Sequence, residues 1–206
     1  MEIKDAWIKL LEKYSIIKEV FIECEETDPE LLTNLQPLNE FRAALDHIMK
    51  MNDAFYVKND EAKWQEQYDK LNSHLDRAFF DICDLTSINY RNKILDVLEK
   101  YDIDAIRTAL PQYYSEWKVQ IEDISLRVSK YRNQKGMVGT NTLDLFQQYA
   151  NDVITLRNIY KNVLHNQSTL EELTNKNKLT NRKAAIITAI GIIIGIVGLV
   201  LTIISF

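Results

Sequence analysis

Twenty-three consecutive residues, from Ala184 to Phe206, contain no charge, no Asn and no Gln. They read AAIITAIGIIIGIVGLVLTIISF. As a helix this stretch rises about 34 Å, enough for a hydrocarbon core of about 30 Å. A core helix of a soluble domain would show a polar face at this length, and this one has none. The segment predicts a single transmembrane helix over 184–206. Lys176, Lys178, Arg182 and Lys183 form a basic flank before it, and no residue follows Phe206 in the sequence. A basic flank favours the cytoplasmic side, so the expectation is a single-pass, tail-anchored protein of the inner (cytoplasmic) membrane with its N-terminal body in the cytoplasm. The opening MEIKDAWIKLLEKY is amphipathic and mixed in charge, unlike a signal peptide.

The rest of the chain is poor in punctuation, with 5 Gly and 3 Pro in 206 residues. Long helices are the consequence. The predicted fold is all-α: an elongated antiparallel helical bundle ending in the membrane helix. Its parts are a cytoplasmic bundle over 1–165, a polar and basic juxtamembrane helix over 166–183, and the membrane helix over 184–206. Ile3, Trp7, Leu10, Tyr14, Ile17, Phe21 and Cys24 recur at steps of 3 and 4 and predict a first helix with one apolar stripe. Asp28-Pro29-Glu30 reads as a helix start, and Pro37 as a break or kink. A second helix is expected from Leu38 to Tyr56, with Phe41, Ala44, Ile48, Met51 and Phe55 inward. Asn59-Asp60 caps a long third helix reaching to Tyr101, bent near Thr86 to Asn89, with Leu95 and Leu98 among its core positions. Asp102 or Asp104 caps the next segment, and Pro111 starts or kinks a fourth helix with Trp117, Ile121, Ile124, Val128 and Tyr131 inward. Lys135-Gly136 ends that helix, 136–139 is a loop, and Thr140 or Asn141 caps a fifth.

From Phe146 one heptad frame visits Tyr149, Val153, Leu156, Tyr160, Val163, Gln167, Leu170, Thr174, Asn177 and Asn181. The same frame continues through Ala184, Thr188, Gly191, Gly195, Gly198, Thr202 and Ser205. It predicts one unbroken helix running into the bilayer, bulky at first, polar over 174–181, then small. Small residues let membrane helices approach closely. With one membrane helix per chain, the partner helix belongs to another copy, so a homo-oligomer in membrane lipid is expected. The stripe from Asn177 to Ser205 is then either a packed helical interface or the wall of a pore, with Gln167, Thr174, Asn177 and Asn181 wetted above it.

The net charge of −5 argues against direct nucleic-acid binding over the whole surface. Arg127, Lys130, Arg132 and Lys135 make a local basic strip, read first as helix C-terminal compensation and second as a site for acidic lipid or RNA. Cys24 and Cys83 fall on apolar stripes and read as buried thiols. There is no glycine-rich phosphate loop and no Cys/His metal set, so neither metal nor cofactor is implied.

One spacing invites chemistry. Arg42-Ala-Ala-Leu-Asp-His47 places Arg and His five apart on a helix, about 140° around its axis. This resembles the Arg-x4-His element of HEPN-type helical ribonucleases. That resemblance implies His47 as acid or base on a ribose hydroxyl and Arg42 on the phosphate. Ala43 stands where that family usually has a polar residue, so the element is degenerate and no catalysis is expected from it. The residue-level reading of His47 is a partly buried side chain hydrogen-bonded to a neighbour such as Asp46 or a Tyr, with tail-anchored ribonuclease as the alternative. His74 and His165 read as surface or interface residues. A small helical body with this element and one membrane helix resembles the membrane accessory proteins encoded beside type VI-B CRISPR effectors. Arg42, His47 and the 184–206 helix carry the resemblance, which covers under a fifth of the chain. It implies a membrane pore that strengthens RNA-guided antiviral defence, with an RNA-guided effector protein as a possible partner. A non-catalytic membrane-tethered scaffold is the third reading.

Overall fold

A computed structural model describes residues 3–28, 35–134 and 142–204, with side chains throughout except at 132–134, 142–143 and 197–204. The protein is all-helical, and no strand occurs among the described residues. The helices are α1 (Ile3–Thr27), α2 (Leu35–Asn52), α3 (Glu61–Leu98), α4 (Ile103–Ala109), α5 (Lys118–Gln134), α6 (Thr142–His165) and α7 (Gln167–Ile204). One-turn π-helices at Asp53–Val57 and Tyr113–Trp117 follow α2 and precede α5.

The bundle is organised around α3, whose 38 residues rise about 57 Å. It packs against α1, α2, α5 and α6. The pairs His47–Gln67 and Glu40–Arg77 run α2 antiparallel to α3, and Arg127–Asp152 with Tyr131–Tyr149 run α5 antiparallel to α6. Lys13–Asp76 and Tyr90–Glu23 align α1 with α3 in the same direction. Phe79–Phe146, at 3.9 Å between ring centroids, and Tyr90–Tyr160 do the same for α6.

The inner face of α1 is turned from the one its apolar spacing suggests. Ala6, Leu10, Lys13, Ile17, Val20 and Cys24 are buried, Trp7 and Phe21 are partly buried, and Tyr14 is exposed. A charged residue displaces the tyrosine because it finds a partner inside. Lys13 Nζ donates to Asp76 Oδ1 at 2.5 Å and to Asn72 Oδ1 at 3.0 Å.

Further elements differ from expectation for identifiable reasons. Pro37 lies in the first turn of α2, where its missing N–H leaves no bond unmade, so α2 begins earlier and is not broken there. The π-turn after Asn52 adds a residue to the backbone ring. Ala54 takes the buried position and Phe55 is turned partly outward. The third helix shows no break at 86–89 and ends at Leu98. The apolar stripe loses phase there because α3 is covered on several sides: Thr86 and Ser87 are buried, and the Thr86 hydroxyl donates to the Ile82 carbonyl at 2.7 Å. Ile94 fills the core while Leu95 faces out. Asp60 caps α3 by accepting from the Lys63 N–H at 2.8 Å, as its position before the apolar run suggests.

The expected fifth helix is two helices. The helical run is interrupted at Asn166, which keeps its own backbone bonds, its N–H donating to the Asn162 carbonyl at 3.2 Å and its carbonyl accepting from the Leu170 N–H at 3.0 Å, while its side-chain amide donates to the same Asn162 carbonyl at 2.9 Å. Asn and Ser compete for backbone bonds in this way, and the run His165-Asn166-Gln167-Ser168 has little else to favour the helix. Pro29, Glu30, the 136–139 loop and the expected caps at Thr140 and Asn141 lie outside the described residues.

Candidate functional site

α7 is built in two parts. Its first turns belong to the bundle: Leu170 and Thr174 are buried, and Tyr101 donates to Glu171 at 3.3 Å. Asn177 Nδ2 donates to Asp102 Oδ1 at 3.0 Å. The same carboxylate oxygen accepts from the Ala105 N–H at 2.8 Å and caps α4. The Ala105 amide holds the Asp102 carboxyl below its usual range, desolvation opposes this, and Asn177 adds to the lowering. One aspartate therefore starts α4 and fixes where α7 leaves the body.

Within one chain most of the polar stretch is engaged by the body. Thr174 is inside the fold, Asn177 is bonded to Asp102, and Gln167 donates to Glu171 at 3.3 Å. Only Asn181 of that group stands fully exposed. The bulky half of the frame closes the bundle core, with Phe146, Tyr149, Val153, Leu156, Val163 and Leu170 all buried.

Beyond Asn177 the helix leaves the body. Every residue from Lys178 to Ile196 is exposed, including the isoleucines at 186, 187, 190, 192, 193, 194 and 196. Lys176, Lys178, Arg182 and Lys183 are exposed and form no ion pair among the described residues. The helix is long and apolar enough to cross a membrane. Ala184, Thr188, Gly191 and Gly195 share one stripe on it. The Thr188 hydroxyl donates to the Ala184 carbonyl at 2.9 Å, which satisfies it within the helix, as hydrocarbon requires. A Cβ added at Gly191 or Gly195 would meet nothing within 4 Å. Gly198 and Thr202 continue the helical backbone with undescribed side chains, and Ser205 lies outside the described residues.

Arg42 and His47 are not brought together. Arg42 is exposed, while His47 is half-buried against α3. His47 Nδ1 lies 2.7 Å from Gln67 Oε1, so its partner is neither Asp46 nor a tyrosine. Its ring stacks on His74 at 5.1 Å between centroids. His74 Nδ1 lies 2.7 Å from Glu40 Oε2, and Arg77 Nε donates to the same oxygen at 2.9 Å. Desolvation pushes the Glu40 carboxyl up, but the bonds from His74 and Arg77 outweigh it and hold the group below its usual range. The polar cluster on the α2–α3 seam is thus Glu40, His47, Gln67, His74 and Arg77. Its sequence signal is His74-x-x-Arg77, one turn apart on α3. That signal becomes readable only once α2 is known to lie antiparallel with Glu40 opposite. Glu40 neutralises the arginine, which leaves little attraction for a phosphodiester.

The basic strip on α5 is partly structural. Arg127 grips Asp152 through Nη2–Oδ1 at 2.6 Å and Nε–Oδ2 at 3.0 Å. Lys130 is exposed, whereas the Arg132 side chain and Lys135 are outside the described set. Cys24 and Cys83 are fully buried thiols, and burial raises both pKa values. No protein-family model, curated protein or solved structure matches this chain. The fold and its exposed C-terminal helix define an all-helical protein with one candidate membrane span among the described residues.

Proposed function

We propose that the protein is an oligomeric membrane effector. α7 crosses the inner membrane from a cytoplasmic body, and copies associate through the Ala184–Thr188–Gly191–Gly195 stripe to perturb or open the bilayer. The carrying observation is the empty space around the glycines. Glycine inside a helix is about 1 kcal/mol worse than alanine. Nothing in the chain approaches Gly191 or Gly195 closely enough to need the missing Cβ. The close approach that glycine permits is then made by another molecule, and in lipid a second α7 is the matching surface. The basic residues 176, 178, 182 and 183 support the orientation.

The resemblance to CRISPR-associated membrane accessory proteins adds an RNA-guided effector as the partner that calls on this assembly. The ribonuclease reading gains nothing from the exposed Arg42.

The test is membrane potential, read with a voltage-sensitive dye in cells expressing the full chain, the chain stopped after Lys183, or a Gly191→Leu/Gly195→Leu variant. The full chain should depolarise the membrane and the other two should not, at equal expression. Equal depolarisation by the truncated chain would remove α7 from the function.

A further inference from the structure

We infer that the cavity between α3, α5 and α6 binds a phosphate monoester through Arg91, Ser87 and Ser129, with Ser125 positioning the arginine. The cavity has a volume of about 220 Å³ and is lined by Ser87, Ile88, Arg91, Ile124, Ser125, Val128, Ser129 and Leu156. Its polar residues come from two i,i+4 pairs, Ser87/Arg91 on α3 and Ser125/Ser129 on α5. Residues four apart share a helix face, so two facing helices contribute four polar corners to one space. No carboxylate lines it.

Two features distinguish this space from an ordinary wet crevice. Arg91 makes no ion pair with any described residue, and its bond is to Ser125 Oγ at 3.5 Å. Arg127 and Arg157 on the neighbouring seams, by contrast, each hold a carboxylate. Ser87 is 5% exposed and its hydroxyl has no hydrogen-bond partner among the described residues. Its neighbours Thr86 and Ser125 spend their hydroxyls on the carbonyls of Ile82 and Ile121 at 2.7 and 2.8 Å, the usual solution in a helix. A buried donor and an uncompensated guanidinium beside one cavity are what an oxyanion would satisfy.

The shape favours phosphate over carboxylate. A carboxylate is planar and is served by the guanidinium fork alone. Here donors reach the space from two helices, with Ser129 exposed at the mouth and Ser87 buried. The volume holds roughly seven waters, enough for a tetrahedral group and some solvent. The apolar walls of Ile88, Ile124, Val128 and Leu156 lower the local dielectric and strengthen the contact. A wider groove of about 640 Å³ shares Arg91 and Ser125 and adds Lys118 and Glu122 as its other charged residues, beside Asn92, Leu95, Tyr113, Ile121 and Leu126. It would hold the body of the ligand. The phosphate could arrive on a soluble monoester or on a lipid headgroup.

The experiment uses the full chain in nanodiscs. In one arm, discs of neutral phosphatidylcholine are titrated with inorganic phosphate and with phenyl phosphate, followed by ³¹P line broadening. In the other, the full chain is extracted into detergent from discs containing phosphatidic acid, washed, and analysed for phosphatidic acid retained above the phosphatidylcholine background. Arg91→Gln should weaken binding roughly tenfold to hundredfold, the range for a charged hydrogen bond. Ser87→Ala/Ser129→Ala should weaken it less, and Lys161→Gln on exposed α6 surface should not. Far-ultraviolet circular dichroism checks that each variant is folded, and the serine pair carries the test if Arg91→Gln is not. Binding in the first arm supports the site with a soluble source, and binding only in the second supports it with a lipid source. No binding in either arm, or wild-type binding by the folded variants, overturns the inference.

Discussion

Replacing Lys13 with Met tests what holds α1 on the bundle. The Lys13 and Asp76 side chains are 8% and 2% exposed, so water screens the pair little. The substitution keeps most of the volume and removes the charge. Asp76 is left buried with Asn72 nearby but no cation in contact. Removing one partner of a buried pair typically costs about 3–5 kcal/mol. At roughly 2–4 °C per kcal/mol for a chain of this size, Tm should fall by about 6–20 °C. The loss should depend on pH in a stated direction. Desolvation already raises the Asp76 carboxyl above its ordinary value, against the lowering by Lys13. Without Lys13 it rises further. A carboxyl whose folded pKa lies above its unfolded value destabilises the fold at higher pH, and that penalty fades as pH drops through the folded pKa. Lys13→Met should therefore be furthest below wild type near pH 8 and recover part of the gap near pH 5. Lys13→Met/Asp76→Leu should recover much of the loss at both pH values. The assay is thermal unfolding of the full chain in mild detergent, followed by circular dichroism at 222 nm. A single variant within a degree or two of wild type at both pH values would refute the reasoning.

Asp102→Ala removes the α4 cap, worth about 1 kcal/mol, and the Asn177 anchor together, so hydrogen exchange at 103–109 and at 170–177 should rise in the same variant. If only the α4 amides respond, Asp102 does not hold α7. His47→Ala should lower stability without abolishing any nuclease activity found, whereas Arg42→Ala should change neither by a measurable amount, because Arg42 is exposed and outside the cluster. Acid–base catalysis is worth roughly 10²- to 10⁴-fold, so an inert but folded His47→Ala protein beside an active wild type would reinstate the ribonuclease reading.

Much of the fold is legible because long helices leave a long record. The inward faces of α5 and α6 and the cap at Asp60 come from spacing and from one carboxylate before an apolar run. Three features are hidden for physical reasons. Lys13 looks like a solvent residue until Asp76, 63 positions away, is known to face it. A central helix covered on several sides has no single stripe, so the spacing loses phase where the α3 helix runs on without interruption. The heptad frame through Asn166 is real, but spacing records side-chain period and not whether the helical run is unbroken. The candidate site divides in the same way. The small stripe of the membrane helix is plain in sequence. Asn177, placed with it by period alone, belongs instead to the contact with Asp102. Arg91 carries no local signal, because what marks it is that no carboxylate among the described residues forms an ion pair with it.

The proposed assembly brings copies of α7 together along their small residues. Its most direct measurement is a cysteine scan from Ile186 to Ile196 in a Cys24→Ser/Cys83→Ser background, with oxidative crosslinking in native membranes. Crosslinked dimers should peak at Thr188, Gly191 and Gly195 and be weak at Ile187, Ile190 and Ile194, tracing the 3 and 4 steps of one helix face. Uniform crosslinking, or a maximum on the isoleucine face, would contradict this assembly.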